Sequence, residues 1–182
     1  MSETFTHILA YHSAPAICGI KASNLINISL ENSSDIYDQI NEFNSRFNPK
    51  VCIKILQRKN KRLLILIYRQ TSLNICLQIK ENKSFLLNLG YPDTQDIDVL
   101  LDYLIKRLNE SDNFPHEIGI FLGYDLSDIL GYINNENCIY SGYWRVYSNL
   151  EKKLKLFNSY TKCRNIVCKY LDNGFTIDRF MN

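Results

Sequence analysis

An uninterrupted apolar run occupies residues 63–68, which read Leu-Leu-Ile-Leu-Ile-Tyr, and it limits the possible folds more than any other segment. A run of this length without polar alternation is typical of a central strand that is covered on both faces. The polar turn at residues 58–61 separates it from a second strand-like segment at residues 51–57, so the two segments predict a β-hairpin. Helices are therefore expected on both sides of the sheet.

Four segments have the apolar spacing of amphipathic helices. Ser33 and Ser34 precede the first of them and are candidate caps, and the run ends at Asn48-Pro49. The last segment is also strongly basic, with six Lys and Arg residues against Glu151. The predicted helices cover residues 36–47, 95–108, 126–133 and 149–170, the last with a core stripe of Leu156, Tyr160, Cys163, Val167 and Tyr170.

Shorter stretches are less regular. Residues 5–12 fit either a helix or a strand, and Pro15 predicts a break because it restricts the residue before it to extended geometry. Residues 25–30 alternate well enough for a first strand. Residues 71–79 permit a helix or a strand, whereas residues 85–89 favour a helix.

The central segment, residues 114–124, reads Phe-Pro-His-Glu-Ile-Gly-Ile-Phe-Leu-Gly-Tyr. Its alternation predicts a buried strand over residues 117–122, with His116 and Glu117 at the entrance and a tight turn at Gly123-Tyr124. A capped helix would follow at once. Ligands in α/β proteins often lie at the carboxyl ends of strands, beside helix N-termini, so this segment is the expected functional face.

Together these segments predict one domain, residues 1–182, with an α/β (α+β) sandwich fold. The central sheet is expected to be mixed or mainly antiparallel, with about five strands and with helices on both faces. An aromatic strand at residues 139–147 would carry Tyr143, Arg145 and Tyr147 on one face and Trp144 and Val146 on the other.

Composition excludes several classes of protein. The 182 residues are 46% hydrophobic and carry a formal charge of +2. This small net charge does not indicate that the protein binds nucleic acid or an anionic membrane. No apolar run reaches 18 residues, and the first residues lack a secretory signal. None of the six cysteines forms a two-residue-spaced pair, which favours reduced thiols in a cytoplasmic protein.

The candidate site residues are those whose side chains suit acid–base chemistry or ligand binding. Catalytic candidates are His116, Glu117 and His12, of which a histidine and a carboxylate could each act alone. No zincin or Walker pattern is present, and a metal held by these three residues is a weaker alternative. No metal or cofactor is assigned, although aromatic stacking could hold a flavin, haem or base. The ligand-binding candidates are Lys21, Gly123, Tyr124 and Trp144.

Two motifs, Pro-His-Glu at residues 115–117 and Leu-Gly-Tyr at residues 122–124, resemble those of an uncharacterised bacterial family, a domain of unknown function. The early residues 12–15 (His-Ser-Ala-Pro), with Gly19 and Lys21, and the late residues 142–147 (Gly-Tyr-Trp-Arg-Val-Tyr) occur in the same order. The resemblance spans nearly the whole chain. It implies a single-domain intracellular bacterial protein and carries over no activity.

Two hypotheses of function follow. The first is a small-ligand or cofactor-binding protein, which could also be an enzyme. Its site would lie around the Pro-His-Glu and Leu-Gly-Tyr motifs. The second is a non-catalytic interaction module that docks on another protein through the aromatic strand 139–147 and the basic helix 149–170. No sequence pattern identifies a reaction or a ligand.

Overall fold

The computed structural model describes residues 1–31, 35–110 and 114–181. These residues form an α+β fold of helices, a three-stranded sheet and a separate two-stranded sheet. The helices are α1 (Glu3–Ile17), α2 (Ile36–Phe47), α3 (Gln70–Gln78), α4 (Lys80–Asn88), α5 (Ile97–Glu110), α6 (Ile118–Phe121), α7 (Leu126–Ile133), α8 (Leu150–Asp172) and a 3-10 turn, Ile177–Phe180. The strands are β1 (Ser23–Ser29), β2 (Val51–Lys59), β3 (Arg62–Arg69), β4 (Tyr140–Ser141) and β5 (Arg145–Val146).

The main sheet is antiparallel in the order β1-β3-β2, so the apolar strand β3 is central as predicted. Ile65 of β3 lies opposite Ile26 on one side and Ile55 on the other. The hairpin between β2 and β3 turns at Asn60 and Lys61, whose φ angles of 49° and 59° are left-handed. Two left-handed residues are what a two-residue type I′ turn requires, and this turn sets the register.

Alternate side chains of β3 enter two different cores. Leu63, Ile65 and Ile67 join residues of α1, α2 and α8, whereas Leu66 and Tyr68 join residues of α3 to α7. Each face of the sheet is thus covered by helices. The continuous apolar run in the sequence reflects burial on both faces, as expected for a central strand.

The prediction of about five strands in one sheet was wrong, because the segment expected to be a strand, residues 117–122, instead contains the single helical turn α6 (Ile118–Phe121). The amide of Leu122 donates to the carbonyl of Ile118 at 2.9 Å, which is a helical bond. Ile118 through Leu122 are all buried. A short segment that is buried on every side satisfies a helix and a strand equally well, so alternation alone could not decide between them.

The predicted aromatic strand at residues 139–147 was also wrong in form, since it is a small hairpin whose strands β4 and β5 have two residues each. Its turn closes when the Gly142 amide donates to the Trp144 carbonyl at 3.0 Å. Trp144 and Val146 are buried against α8 in a third, smaller core. Chain reversal at Gly142 therefore replaces an extended strand.

The predicted break at Pro15 was wrong as well, because α1 continues to Ile17. Proline removes one backbone donor from the helix, which normally weakens it. The residues around Pro15 are nevertheless fully enclosed, with Ala14, Ala16 and Ile17 at 0% exposure. Their burial stabilises the last turn of α1 despite the missing hydrogen bond.

The remaining helix predictions agree with the structure, except for the buried face of α8. The segment 71–79 resolves to the helix α3, and α2, α5 and α7 match their predicted segments. The proposed caps Ser33 and Ser34 lie outside the described residues. The core face of α8 consists of Lys153, Phe157, Tyr160, Val167 and Leu171, a stripe rotated from the predicted one. No helix among the described residues combines the length and apolarity needed to cross a bilayer.

Candidate functional site

The turn after α6 brings the two sequence motifs together. Gly123 has a φ of 73°, a left-handed conformation that glycine adopts without strain. The chain therefore reverses, and the Tyr124 amide donates to the Gly119 carbonyl at 2.8 Å. Such a closure is the usual end of a helix at glycine. It turns Tyr124 back beside the segment that carries His116.

Gly119 allows α6 and α7 to approach closely. A Cβ atom at this position would lie 2.9 Å from the Ile129 side chain and 3.2 Å from the Tyr124 ring. Any larger residue would push α7 or Tyr124 away. Gly119 thus serves helix packing, and its lack of a side chain also leaves an open cleft beside the Tyr124 ring.

The cleft beside Tyr124 has a volume of about 360 Å³ and is called the aromatic cleft below. Four of its lining side chains are aromatic rings, and two, His116 and Arg145, can carry positive charge. Both of these are exposed. The lining residues are Phe114, His116, Ile118, Gly119, Tyr124, Asp128, Ile129, Tyr132, Trp144 and Arg145.

Stacked rings form one wall of the aromatic cleft. The rings of Tyr124 and Trp144 lie 4.4 Å apart at an angle of 22°. At the opening, His116 meets the Tyr132 ring edge-on at 5.0 Å, and the Arg145 guanidinium lies over the same ring at 5.7 Å. The arrangement presents flat apolar surfaces with the side chains of Arg145 and His116 at the mouth.

The Trp144 wall is held by the buried carboxylate of Asp128, which α7 positions. Asp128 accepts hydrogen bonds from Trp144 Nε1 and Lys153 Nζ, each at 2.8 Å, and from the Tyr147 amide at 2.9 Å. Burial favours a higher pKa for Asp128, but the bonds from Lys153, Tyr147 and Trp144 lower its pKa overall. Lys153 also pairs with Asp125. The acidic group is therefore committed to internal contacts.

Lys21 lies behind the stack, with its ammonium group 5.4 Å from the Tyr124 ring centroid. Its Nζ donates to the Ser23 carbonyl at 2.6 Å, and no described carboxylate is within ion-pair distance. Burial lowers the pKa of Lys21 to about 7, although Cys76 opposes this effect. Burial likewise raises the pKa of Tyr124 to about 12. Lys21 is enclosed, with 6% exposure, and does not line the cleft.

Glu117 faces a second depression, of about 430 Å³, that adjoins the aromatic cleft at Phe114 and His116. It is 3% exposed and pairs with Arg107, while the Tyr91 hydroxyl donates to it at 3.3 Å. His116 and Glu117 are neighbours in the chain just before α6, but their side chains point in different directions. His116 is exposed to solvent, whereas Glu117 is buried in the core.

His12 is separate from the other candidate residues. It is exposed on α1, beside Tyr11, and borders a shallow depression that also contains His7. None of the residues lining that depression borders either cleft at His116. Within the described ranges, no three His, Cys, Asp or Glu side chains are grouped closely enough to hold a metal ion. The His12, His116 and Glu117 set considered from sequence is thus not assembled.

A family model described as protein of unknown function (DUF3793) matches residues 9–181. The chain belongs to that family. This match agrees with the resemblance read from the motifs, and the family description assigns no function. No curated protein and no solved structure matches the chain.

Of the candidate site residues, the structure of this DUF3793 member brings His116, Gly123, Tyr124 and Trp144 to one region, with Lys21 directly behind them. Asp128 and Lys153 were missed, although a signal existed. Lys153 precedes Phe157 and Tyr160 at spacings of four and seven residues, which places it on the buried face of α8. A lysine on a buried stripe indicates a buried carboxylate partner nearby.

Proposed function

We propose that this protein binds a small planar molecule that carries a negative charge, such as a mononucleotide or an aromatic carboxylate, in the aromatic cleft. The observation that carries the proposal is the stack of Tyr124 and Trp144 in the wall of a cleft whose mouth bears Arg145 and His116. Flat rings bind flat ligands through stacking, and an arginine fork binds carboxylate or phosphate.

The size and charge of the cleft support this ligand class. A volume of about 360 Å³ lies in the range of small-molecule sites, and the adjoining depression could accept a further substituent. Asp128 would not repel an anion strongly, because Trp144, Tyr147 and Lys153 already neutralise or bond its oxygens. Glu117 is similarly paired with Arg107.

Binding is favoured over acid–base catalysis by the same contacts. Glu117 is engaged in an ion pair, and His12 borders a different depression, so His116 has no second titratable partner from the predicted catalytic set. The interaction-module alternative would lack Trp144 and Lys153, which are buried, and would depend on the exposed residues of the same segments, such as Tyr140, Lys152 and Lys155.

Trp144 supplies the assay, because it is the only tryptophan and it lines the cleft. We expect one class among mononucleotides, flavin mononucleotide and aromatic carboxylates to quench its fluorescence and to raise the melting temperature. Arg145→Gln should weaken that binding about tenfold, the loss expected for one charged hydrogen bond. His116→Ala should weaken it while changing stability by less than about 0.5 kcal/mol, since the side chain is exposed.

Arg58→Gln is the matched control, because Arg58 is also an exposed arginine at the end of a hairpin strand but lies outside the cleft. It should leave affinity unchanged. The proposal would fail if no compound in the panel altered either signal, or if the Arg58 and Arg145 variants bound equally well.

A further inference from the structure

The depression of about 430 Å³ beside the aromatic cleft, called the second depression below, has apolar walls. Three separate parts of the chain supply them: Phe85 and Leu89 at the end of α4, Phe114 and Pro115 before α6, and Ile133 at the end of α7. Phe85 and Leu89 are four residues apart, a spacing that places two side chains on one face of a helix. None of these five side chains has a polar atom, so the walls offer contact surface rather than hydrogen bonds.

The buried charge of the second depression is paired within the protein. Arg107 Nε donates to Glu117 Oε1, and the Tyr91 hydroxyl donates to the same oxygen at 3.3 Å. At the rim, the exposed carboxylate of Glu110 lies 3.9 Å from Lys106 Nζ. An uncharged group that entered the depression would therefore leave the Arg107–Glu117 pair intact.

The second depression and the aromatic cleft meet at the protein surface. Phe114 and His116 line both hollows, and both side chains are exposed. A flexible chain of a ligand could thus pass from one hollow to the other over these two side chains without opening the core. Two hollows that share a border in this way can hold two parts of one molecule.

Large apolar side chains are exposed at this border. Phe114 is 47% exposed and Ile133 is 39% exposed, and Tyr132, on the side of the aromatic cleft, is 44% exposed. Exposed apolar side chains that are grouped around a hollow, rather than scattered, are typical of a binding site. An apolar group that covered them would remove their surface from water, which is favourable.

The charges of the second depression disfavour another anionic group. Glu110 and Glu117 contribute two carboxylates to its lining, whereas Arg107 contributes one guanidinium, which Glu117 already engages. A phosphate or carboxylate placed here would meet more negative than positive charge. The chemistry of this hollow is therefore unlike that of the aromatic cleft, where Arg145 lies at the mouth.

We propose that the second depression is a subsite for an apolar substituent, so that the ligand is a planar anion carrying an alkyl or aryl arm. This inference rests on the proposed function of the aromatic cleft, because the planar anionic part of the ligand lies there. The arm crosses Phe114 and ends between Phe85, Leu89 and Ile133. Burial of the arm supplies affinity, and the length of the depression selects among arms.

Isothermal titration calorimetry with para-alkoxybenzoates, from methoxy to hexyloxy, tests the subsite. The anionic ring stays constant while the arm grows, so a change in affinity along the series comes from the arm. We expect affinity to increase about threefold for each added methylene, a little less than full burial of a methylene gives. The heat-capacity change of binding should become more negative as the arm lengthens.

Ile133→Ser tests the wall of the subsite, because Ile133 lines the second depression and is not among the residues that line the aromatic cleft. The variant should lower the ratio of hexyloxybenzoate affinity to methoxybenzoate affinity about fivefold, through lost apolar contact. Leu130→Ser is the matched control. Leu130 is on the same helix and is 37% exposed, but it lines neither hollow, so this variant should keep the wild-type ratio.

The outcomes separate this inference from the function proposed for the cleft. Binding of methoxybenzoate with no gain from longer arms, or an equal ratio in the Ile133 and Leu130 variants, would overturn the subsite while the cleft still bound its anion. A gain with arm length in both wild type and Arg145→Gln, at equal affinities, would support the subsite and contradict the anion site. If no member of the series bound, the subsite would be overturned, and the panel of mononucleotides and flavin mononucleotide would decide the function of the cleft.

Discussion

Two buried lysines of this protein have opposite surroundings. Lys153 is 1% exposed and contacts two carboxylates, Asp125 and Asp128. Lys21 is 6% exposed, and its ammonium group meets the Ser23 carbonyl and the Tyr124 ring but no carboxylate among the described residues. A buried charge without a counter-ion is costly, so the two residues should affect stability in different ways.

Lys21 should make the stability of the protein depend on pH. Its pKa is lowered by burial to about 7 in the folded state, against about 10.4 for an unperturbed lysine. The unfolded state therefore binds more protons above pH 7, and the free energy of unfolding rises with pH. We expect a rise of about 1 kcal/mol per pH unit between pH 7 and about 8.5, below the titration of ordinary thiols.

Urea unfolding of wild type and Lys21→Met at several pH values measures this dependence. Methionine keeps much of the buried length of lysine without the charge, so its slope over the same pH range should be close to zero. Equal slopes for the two proteins would show that Lys21 keeps its proton when folded.

Asp128→Asn should destabilise the protein by about 3 kcal/mol, because it removes the charge that balances Lys153 in a buried network. Glu151→Gln is the matched control. Its carboxylate also pairs with a lysine of α8, Lys155, but both side chains are largely exposed, so the loss should be below about 1 kcal/mol. Denaturant unfolding would contradict this account if the two variants lost the same stability.

At the scale of elements, amphipathic spacing determines which helix faces are buried. α5 directs Leu100, Leu101, Leu104 and Leu108 into the core that it shares with β2 and β3, whereas Val99 points to solvent. α8 departs from simple spacing, since a lysine occupies one position of its buried face. The helix tolerates this residue because two carboxylates meet it.

Leu104→Ala should lower the free energy of unfolding by about 2 to 5 kcal/mol, through lost burial and the cavity left behind. Leu104 has no exposed surface. Val99→Ala, on the same helix but 43% exposed, should change stability by less than about 0.5 kcal/mol. Chemical denaturation of both variants gives the comparison, and a loss below half a kilocalorie for Leu104 would contradict its burial.

At the scale of the whole molecule, β3 links the two large cores because its alternate side chains belong to both. The third core, around Trp144 and Phe157, adjoins the second through Tyr124. α8 runs through this arrangement, with Phe157 in the third core and Val167 in the first. Loss of one core should therefore weaken the others.

Unfolding should consequently be one cooperative transition. Trp144 fluorescence reports the third core, and far-UV circular dichroism reports the helices throughout the chain. Their thermal transitions should coincide within about 2 °C, which is no more than the shift of about 2–4 °C that 1 kcal/mol of stability produces in a chain of this length. If Trp144 became exposed at a clearly lower temperature, the hairpin and its part of α8 would form a separate unit.

Local patterns were sufficient to predict elements whose two faces differ or whose run is long. The apolar run of β3 required a central strand covered on both sides, and the spacing in α2, α5 and α7 required helices with one buried face. The motifs around His116 and Tyr124 also pointed to the region of the aromatic cleft. The inferences for β3 and for these helices rest on side-chain periodicity, which neighbours in sequence determine.

Tertiary packing decided the remaining features. α6 is buried on all sides, so periodicity could not distinguish its helical turn from a strand, and the close contact of Gly119 with Ile129 depends on α7. The network of Asp128, Trp144 and Lys153 joins residues 16 to 25 positions apart. The sequence alone determined which segments are amphipathic, whereas only the folded chain decided which polar groups meet, because those contacts depend on how distant elements pack.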